Sequence, residues 1–339
     1  MNNSKNPRVI VITGASAGLG RATAQAFARS EGARIGLIAR GEDGLEGARR
    51  DVESLGRQAL ILQADVADAD AVEAAAERVE SELGPIEVWV NNAMTGVFSP
   101  VKEMTAAEFK RVTEVTYLGF VNGTLAALKR MLPRDRGRII QVGSALAYRG
   151  IPLQAAYCAS KHAIQGFMDS LRCELLHDKS RVWVTMVQMP AMNTPQFDWI
   201  KSRLPKKAQP VPPIFQPDVA AEAIVYASRH DRREIYVGIP SVEAIIGNKL
   251  FPGLLDHYLA HTGYKGQQTD EPQDPDQRCN LYQPVPGDHG AHGRFDDRAR
   301  NFSPQLWTDL HRDSLAAFAL LGAVVLAASF FVTKTPNDE

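Results

Sequence analysis

The chain contains 339 residues with a formal net charge of -1; 45% of them are hydrophobic and 23% are charged. This length suits one large α/β domain with an appendage, and the composition excludes a disordered chain or a multi-span membrane protein. Its scattered basic residues offer no stripe for nucleic acid, and its three cysteines fit neither a disulfide framework nor a zinc site. We therefore expect a folded protein of a reducing compartment that binds neither nucleic acid nor metal.

Short β-branched runs alternate with longer alanine-rich stretches from Arg8 to about Gly238, which is typical of βαβ units. The runs predict seven strands, at residues 9–13, 34–39, 59–63, 88–91, 138–142, 182–186 and 234–237. Between them, apolar residues recur at helical spacing and predict helices that cover the sheet. Right-handed crossovers then give a Rossmann-like, doubly wound parallel sheet that binds ligands at the carboxyl ends of its strands.

The character of the chain changes after Pro190. Repeated prolines between residues 195 and 217 disfavour a continuous helix or strand, and such a segment is suited to closing over a substrate. Residues 263–300 are rich in Gly, Pro, Asp and Gln, which indicates an irregular extension. We expect a catalytic domain at residues 1–240 and a partly irregular C-terminal extension at residues 241–312.

The end of the chain carries a predicted membrane anchor. Residues 315–332 form a run of eighteen residues without a charge, long enough to span a bilayer. A transmembrane helix at residues 313–334 would tether the catalytic domain on the cytoplasmic side; the alternative is a buried amphipathic helix. The short, polar N-terminus before Arg8 lacks the apolar stretch of a secretory signal. If the anchor were absent, the apolar stretch at residues 242–259 would be the other candidate for membrane attachment.

A glycine-rich loop follows the first predicted strand and precedes a predicted helix. Glycines at a helix N-terminus let backbone amides face a pyrophosphate, where the partial positive charge of the helix favours anions. A tight turn is the alternative interpretation. The loop residues predicted to bind a dinucleotide are Thr13, Gly14, Ser16, Gly18, Leu19 and Gly20.

The TGxxxGxG spacing of this loop resembles the short-chain dehydrogenase/reductase family, and the resemblance extends to about Gly238. It implies a nicotinamide cofactor, a carbonyl or alcohol substrate, and a homo-oligomer. In the family an acidic residue at the end of the second strand holds the ribose of NAD, whereas Arg40 occupies that place here. Because a guanidinium pairs with a 2′-phosphate, NADP(H) is favoured over NAD(H); Arg40 as a solvated surface residue is the alternative.

Further cofactor residues follow from the same resemblance. Asp65 and Val66 match the position that contacts adenine, although Asp65 is also placed to cap the following helix. Asn92 matches the family's NNAG motif, whose final glycine is Met94 here. That larger side chain would reshape the floor of the site or fill the core. Thr194 is the expected partner of the nicotinamide carboxamide.

The spacing of Tyr157 and Lys161 places a phenol and an ammonium on one face of a helix. A cation beside the phenol lowers its pKa by favouring the phenolate, so Tyr157 is predicted to exchange a proton with the reacting oxygen. Alone, this pair would equally describe an exposed helix face. Ser144, thirteen residues upstream of Tyr157, matches the family's substrate-orienting serine and completes the predicted catalytic set.

One departure puts the proton relay in doubt. The family usually has asparagine within VNxxG, where this chain has Thr116, whose hydroxyl is shorter. The resemblance assigns that asparagine a relay water, so we expect activity to survive with slower proton exchange. Since Met94 also departs from the pattern, a nucleotide-binding sensor or scaffold with little catalytic activity is the competing hypothesis.

A set of mostly apolar side chains is expected to face the substrate, which favours a lipophilic compound. These candidates are Met94, Leu146, Tyr148, Gln154, Met192 and Phe197; their alternative role is plain core. His289 and His292 lie near acidic residues, but their spacing fits no helix-borne metal site, so a solvated loop is expected. Cys158 is expected to pack rather than react.

Overall fold

The structure is a computed structural model, which describes residues 7–30, 32–315 and 317. Its strands are β1 (Arg8–Thr13), β2 (Ala33–Ala39), β3 (Gln58–Gln63), β4 (Ile86–Asn91), β5 (Val97–Phe98), β6 (Gly137–Val142), β7 (Val182–Gln188), β8 (Lys201–Ser202), β9 (Lys206–Ala208), β10 (Ile214–Phe215), β11 (Glu234–Tyr236), β12 (Gln268–Pro272) and β13 (Ala299–Arg300). Its α-helices are α1 (Gly18–Ser30), α2 (Glu42–Ser54), α3 (Ala69–Glu82), α4 (Ala106–Thr113), α5 (Gly119–Met131), α6 (Ala155–His177), α7 (Pro217–Ala227), α8 (Ile239–Leu250), α9 (Pro252–Gly266) and α10 (Pro304–Leu310).

Seven of these strands form the central sheet, in the order β11-β7-β6-β4-β1-β2-β3. Every neighbouring pair in it is parallel. Parallel strands covered on both faces are nearly continuous apolar runs, and the residues Ile10–Ile12 of β1 are fully buried. The predicted Rossmann-like α/β fold with a central parallel sheet is confirmed.

Helices cover both faces of this sheet. On one face, α1, α2 and α7 contribute buried side chains such as Phe27, Val52 and Ile224 to a single apolar cluster. On the other face, α3, α5 and α6 contribute Val79, Phe120 and Ile164 to a second cluster. The two clusters hold the sheet between them, because each helix buries the apolar side that its 3.6-residue periodicity creates.

The order of the strands reverses beside β1. The chain builds β1, β2 and β3 outward in one direction and then returns to place β4 on the other side of β1. A crevice opens outside the carboxyl ends of two such strands, where ligands bind in doubly wound sheets. The segments that follow β1 and β4 therefore meet at this crevice.

The proline-rich segment forms short pieces. A 3₁₀ turn at Pro195–Asp198 is followed by β8, β9 and β10, each two or three residues long. The C-terminal extension returns to these pieces: β12 pairs with β9, and β13 pairs with β10. The stretch at residues 242–259, for which no secondary structure was predicted, is helical in α8 and α9. The division at residue 240 stays a prediction.

The predicted anchor at residues 313–334 lies outside the described residues, apart from 313–315 and 317. Within the part of the chain that the structure describes, no helix has the length and apolar character needed to cross a membrane.

Candidate active site

The loop between β1 and α1 depends on glycine at three places. Gly14 and Gly18 have φ angles of 67° and 57°, in the left-handed region that side chains disfavour. A Cβ atom on Gly20 would lie 2.1 Å from the carbonyl oxygen of Gly14. The loop can therefore turn tightly into the N-terminus of α1, whose partial positive charge attracts an anion.

The loop is joined to the segment after β4. The Thr13 hydroxyl accepts hydrogen bonds from the backbone amides of Asn92 (2.9 Å) and Ala93 (3.1 Å). In return, the Asn92 side-chain amide donates to the Thr13 carbonyl at 3.0 Å. These contacts fix the two loops at the crevice relative to each other.

A cavity of about 840 Å³ runs along this crevice, within the size range of cofactor and ligand sites. Its wall includes most of the predicted cofactor and catalytic residues: Gly14, Ser16, Gly18, Leu19, Arg40, Asp65, Val66, Asn92, Ser144, Tyr157, Lys161 and Thr194. Thr13 and Gly20 lie behind the wall and shape the loop. The glycine loop, with little side-chain volume in the way, fits the pyrophosphate of a dinucleotide.

Arg40 lies at one end of the cavity and contacts the C-terminal extension. Its guanidinium donates to the carbonyl oxygen of Tyr282 at 3.0 Å and to that of Asn280. Burial lowers its pKa, yet an arginine remains charged. Because a guanidinium has five N–H donors, these two contacts leave donors for a phosphate.

The sequence suggested, as one alternative, that Asp65 caps the helix that follows it, but the structure gives Asp65 other partners. Its carboxylate accepts from the backbone amide of Ala67 at 3.0 Å and forms an ion pair with Arg111. The residue that caps α3 is Asp68, which accepts from the amides of Asp70 and Ala71. Asp65 therefore faces the cavity with its charge balanced, and capping α3 is not its function.

Ser144, Tyr157 and Lys161 lie together at the other end of the cavity. Tyr157 and Lys161 stand four residues apart on α6, and both line the cavity together with Ser144. Lys161 is 1% exposed, and its Nζ atom lies 5.6 Å from the centroid of the Tyr157 ring. The three side chains that the resemblance associates with catalysis are thus brought together.

The pKa values differ from the sequence-based expectation. Burial raises the pKa of Tyr157, although the neighbouring Ser144 side chain acts in the opposite direction. Burial also lowers the pKa of Lys161 to about 7. Desolvation disfavours the charged form of each group, so the pKa of Tyr157 is raised where the sequence predicted that a lysine cation would lower it.

Thr116 is fully buried within a π-helical turn, Glu114–Leu118, that joins α4 to α5. Its hydroxyl accepts from the backbone amide of Thr95 at 3.1 Å and donates to the Thr95 carbonyl at 2.9 Å. The side chain thereby holds the loop that follows Asn92. This use of the Thr116 hydroxyl could not be deduced from the motif.

The substrate half of the cavity is mostly apolar. Five of the six side chains expected there line it: Met94, Leu146, Gln154, Met192 and Phe197. Tyr148 does not line the cavity, and its hydroxyl donates to Glu234 at 2.6 Å. Tyr258 and Leu259 of α9 also line the cavity, and the apolar stretch at residues 242–259 is the sequence signal that could have indicated them.

The histidines and acids of the extension have separate partners. His292 pairs with Asp218 at 2.6 Å, and the His289 ring lies 4.5 Å from that of Trp199. Asp288 forms an ion pair with Arg21 on α1. These contacts attach the extension to the domain, while Asp288 and His292 remain exposed in an irregular loop, as the sequence predicted. Cys158 is buried, as expected for a packing role, and burial raises the pKa of its thiol to about 11.

A dinucleotide-type cleft that ends at Ser144, Tyr157 and Lys161 is that of a nicotinamide-dependent oxidoreductase. The profile of the short chain dehydrogenase family matches residues 8–203, more than half of the chain, and the chain belongs to this family.

Similarity to individual proteins extends further along the chain. The "Uncharacterized oxidoreductase YxnA" of Bacillus subtilis is 31% identical over 324 residues, which cover 95% of this chain and 90% of that protein. A "Fatty acyl-CoA reductase" of Acinetobacter baylyi is 31% identical over 65% of this chain and 72% of its own. Among solved structures, a metagenomic short-chain oxidoreductase in complex with NADP is 29% identical with a TM-score of 0.57, covering 68% of this chain and 96% of its own.

Proposed function

We propose that the protein interconverts a carbonyl compound and an alcohol with NADP(H), acting on a lipophilic substrate. Ser144 orients the reacting oxygen, Tyr157 exchanges a proton with it, and Lys161 stabilises the tyrosinate. The observation that carries this proposal is that Ser144, Tyr157 and Lys161 line the same end of the cavity, with Lys161 buried four residues after Tyr157 on α6.

The pKa shifts suit the proton transfers of a reduction. When bound, the reduced nicotinamide supplies a hydride to the carbonyl carbon. Tyr157 holds its proton at neutral pH because burial raises its pKa, and it gives that proton to the carbonyl oxygen to form the alcohol. The ammonium form of Lys161, which titrates near pH 7, stabilises the resulting tyrosinate until Tyr157 regains a proton from solvent.

The preference for NADP(H) over NAD(H) is supported by the residues at the end of the cleft opposite Tyr157. Strand β2 ends before Arg40, and Ser16 lines the same part of the cavity. A guanidinium and a hydroxyl are suitable donors for a 2′-phosphate. The Arg40 guanidinium is already positioned by two backbone carbonyls, so binding would require little further ordering of that side chain.

The proposal that the substrate is lipophilic is supported by apolar side chains inside the cavity and on the surface of the protein. Tyr258 and Leu259 of α9 line the cavity, and the end of α8, the residue between the helices and the start of α9 expose Leu250, Phe251 and Leu254, each more than 60% accessible. Exposed apolar patches often mark contact with a membrane or a partner. We include in the proposal a tether formed by residues 313–334, with the catalytic domain in the cytoplasm.

A substrate screen tests the reaction. Purified protein is mixed with NADPH or NADH and with steroid, retinoid, aliphatic and quinone carbonyls, and cofactor oxidation is followed by absorbance. Tyr157→Phe keeps the ring and should remove turnover while NADPH binding remains. Equal turnover in that variant would refute the mechanism. Binding of NADPH without turnover of any carbonyl would instead favour the nucleotide-binding sensor or scaffold.

Fractionation and size measurements test attachment and assembly. Truncation before Leu315 should release the protein from membranes, and persistence there would assign attachment to α8 and α9. The homo-oligomer expected from the family resemblance is a further part of the proposal. Light scattering of the truncated protein would measure its mass, and a monomer would contradict that expectation.

A further inference from the structure

Residues 280–290 of the C-terminal extension, which we call the strap, cross the cofactor half of the cleft. Several of them form part of the cavity wall: Asn280, Pro284, Val285, Pro286, Gly287 and His289. The match to the family profile ends at residue 203, so the strap lies outside the part of the chain that defines the family. Its contacts show how firmly it is held.

The first anchor of the strap is Leu281, whose side chain is fully buried in an apolar cluster. The carbonyl groups of Leu281 and of the residues before and after it all accept hydrogen bonds from arginines. Those of Asn280 and Tyr282 accept from Arg40, and that of Leu281 accepts from Arg111 Nε at 3.0 Å. This end of the strap is fixed both by burial and by two cations of the domain.

The second anchor is Asp288. Its carboxylate forms an ion pair with Arg21, whose side chain is only 7% exposed, and approaches Arg50 at 3.4 Å. A Cβ atom on Gly47 would lie 2.2 Å from Asp288 Oδ2, so α2 leaves space for this carboxylate only because residue 47 is glycine. Charge-assisted bonds to a buried arginine are among the stronger polar contacts in proteins.

The strap is also bonded directly to the cofactor loops. The Gly287 amide donates to Asp43 Oδ2 at 2.7 Å, and the Gly290 carbonyl accepts from the amide of Gly18 at 3.0 Å. Asp43 belongs to the first turn of α2, and Gly18 begins α1. The strap therefore connects the two helix starts that border the dinucleotide half of the cleft.

We propose that the strap is a cover that retains NADP(H), with Asp288 as the positioning residue that holds it closed. This inference rests on the proposed function, because it assumes that the dinucleotide occupies the cavity beneath the strap. A cover anchored at Leu281 and Asp288 must partly detach before the cofactor leaves. Release of the cofactor is then limited by these contacts in addition to those of the cofactor itself.

The rate of cofactor release tests this proposal. NADPH is bound to the full chain and displaced with excess NADP⁺ in a stopped-flow instrument, with the fluorescence of NADPH as the signal. Asp288→Ala should raise the dissociation rate constant about tenfold or more, the change expected for loss of a charge-assisted contact. Asp297→Ala removes an exposed carboxylate from the same extension and should leave the rate constant unchanged. The turnover number at saturating cofactor should not fall in Asp297→Ala.

A second pair of variants covers the case in which Asp288→Ala fails to fold. Arg50→Ala removes an exposed partner of Asp288 and should raise the release rate by a smaller factor, whereas Arg49→Ala on the same helix should not. Tight NADPH binding with equal release rates in all folded variants would overturn this inference alone. Failure of the wild-type protein to bind either dinucleotide would overturn the proposed function and the inference together.

Discussion

Lys161 Nζ donates a 2.7 Å hydrogen bond to the carbonyl oxygen of Val142, and burial lowers its pKa to about 7. An unfolded lysine titrates near 10.4. Between these two pH values the unfolded chain binds a proton that the folded chain does not, so the stability of the fold increases with pH. Below pH 7 both states are protonated, and the full penalty of burying the charge applies.

Lys161→Met should remove this dependence. The difference in free energy of unfolding between Lys161→Met and wild type should shift in favour of the variant as the pH falls from about 10 to 7, and then stay level. Urea unfolding at several pH values measures it. Lys110→Met, at an exposed position of α4, is the control and should show little such trend. A difference for Lys161→Met that does not vary with pH would contradict the proposed titration.

Ionised Glu108 should stabilise the protein at neutral pH, and this stabilisation should be lost in acid. It accepts from Lys201 at 2.7 Å and from Arg203 at 2.8 Å; burial opposes ionisation, yet these partners and Thr105 lower its pKa to about 2. A lowered carboxyl pKa stabilises the fold above the unfolded pKa, and that stabilisation is lost as the pH falls through the folded pKa.

Glu108→Gln should therefore lower the free energy of unfolding by about 3 kcal/mol at neutral pH, because it leaves two cations without their buried partner. The difference from wild type should shrink as the pH falls from about 4.5 to 2. Denaturant titration at each pH measures the loss. The exposed Glu103 offers a control, since Glu103→Gln should change stability little. A constant difference down to pH 2 would exclude the assigned ion pairs as its cause.

Gly20→Ala should abolish tight dinucleotide binding. Its Cβ atom would lie 2.1 Å from the Gly14 carbonyl oxygen, so the phosphate loop would have to shift. We expect the dissociation constant for NADPH, measured by fluorescence, to rise at least about tenfold. Gly166→Ala on α6 meets open space and should leave binding unchanged while raising helix stability by about 0.5–1 kcal/mol. Unaltered binding in Gly20→Ala would refute the assignment of this loop.

Arg40→Asp should move the cofactor preference from NADPH towards NADH. The variant replaces a donor for the 2′-phosphate with a carboxylate that repels it and accepts from ribose hydroxyls. The ratio of kcat/KM values for the two cofactors should change by at least about tenfold. Arg49→Asp is the matched charge reversal on the surface of α2, and an equal shift there would show that net charge alone decides the preference.

Local patterns sufficed to predict the central sheet. The first strand was expected at residues 9–13 and is observed at Arg8–Thr13, and the strand before Ser144 was expected at residues 138–142 and is observed at Gly137–Val142. Buried parallel strands consist of short apolar, β-branched runs, which can be recognised without knowledge of their neighbours. For the same reason, the residues at the carboxyl ends of the strands could be placed at one crevice.

Other parts of the site depend on contacts that no local pattern encodes. The ion pair of Arg21 and Asp288 joins residues 267 positions apart, and a Gly- and Pro-rich segment does not reveal where it will pack. The π-helical turn around Thr116 depends on a hydroxyl bonded to Thr95 across a loop. The position of Tyr148 depends on Glu234, a residue of the last strand of the sheet. Each of these required the three-dimensional structure.

The ion pair of Arg21 and Asp288 also has a consequence for biosynthesis. A ribosome completes α1 early, and Asp51, which pairs with Arg21 at 2.7 Å, follows within 30 residues, but Asp288 is added only 267 residues after Arg21. Throughout that interval the nascent chain carries a phosphate loop whose neighbouring cation lacks this partner and whose cleft has no outer wall. A cofactor captured during synthesis would thus meet an open site, whereas one that arrives after chain release would meet a covered one.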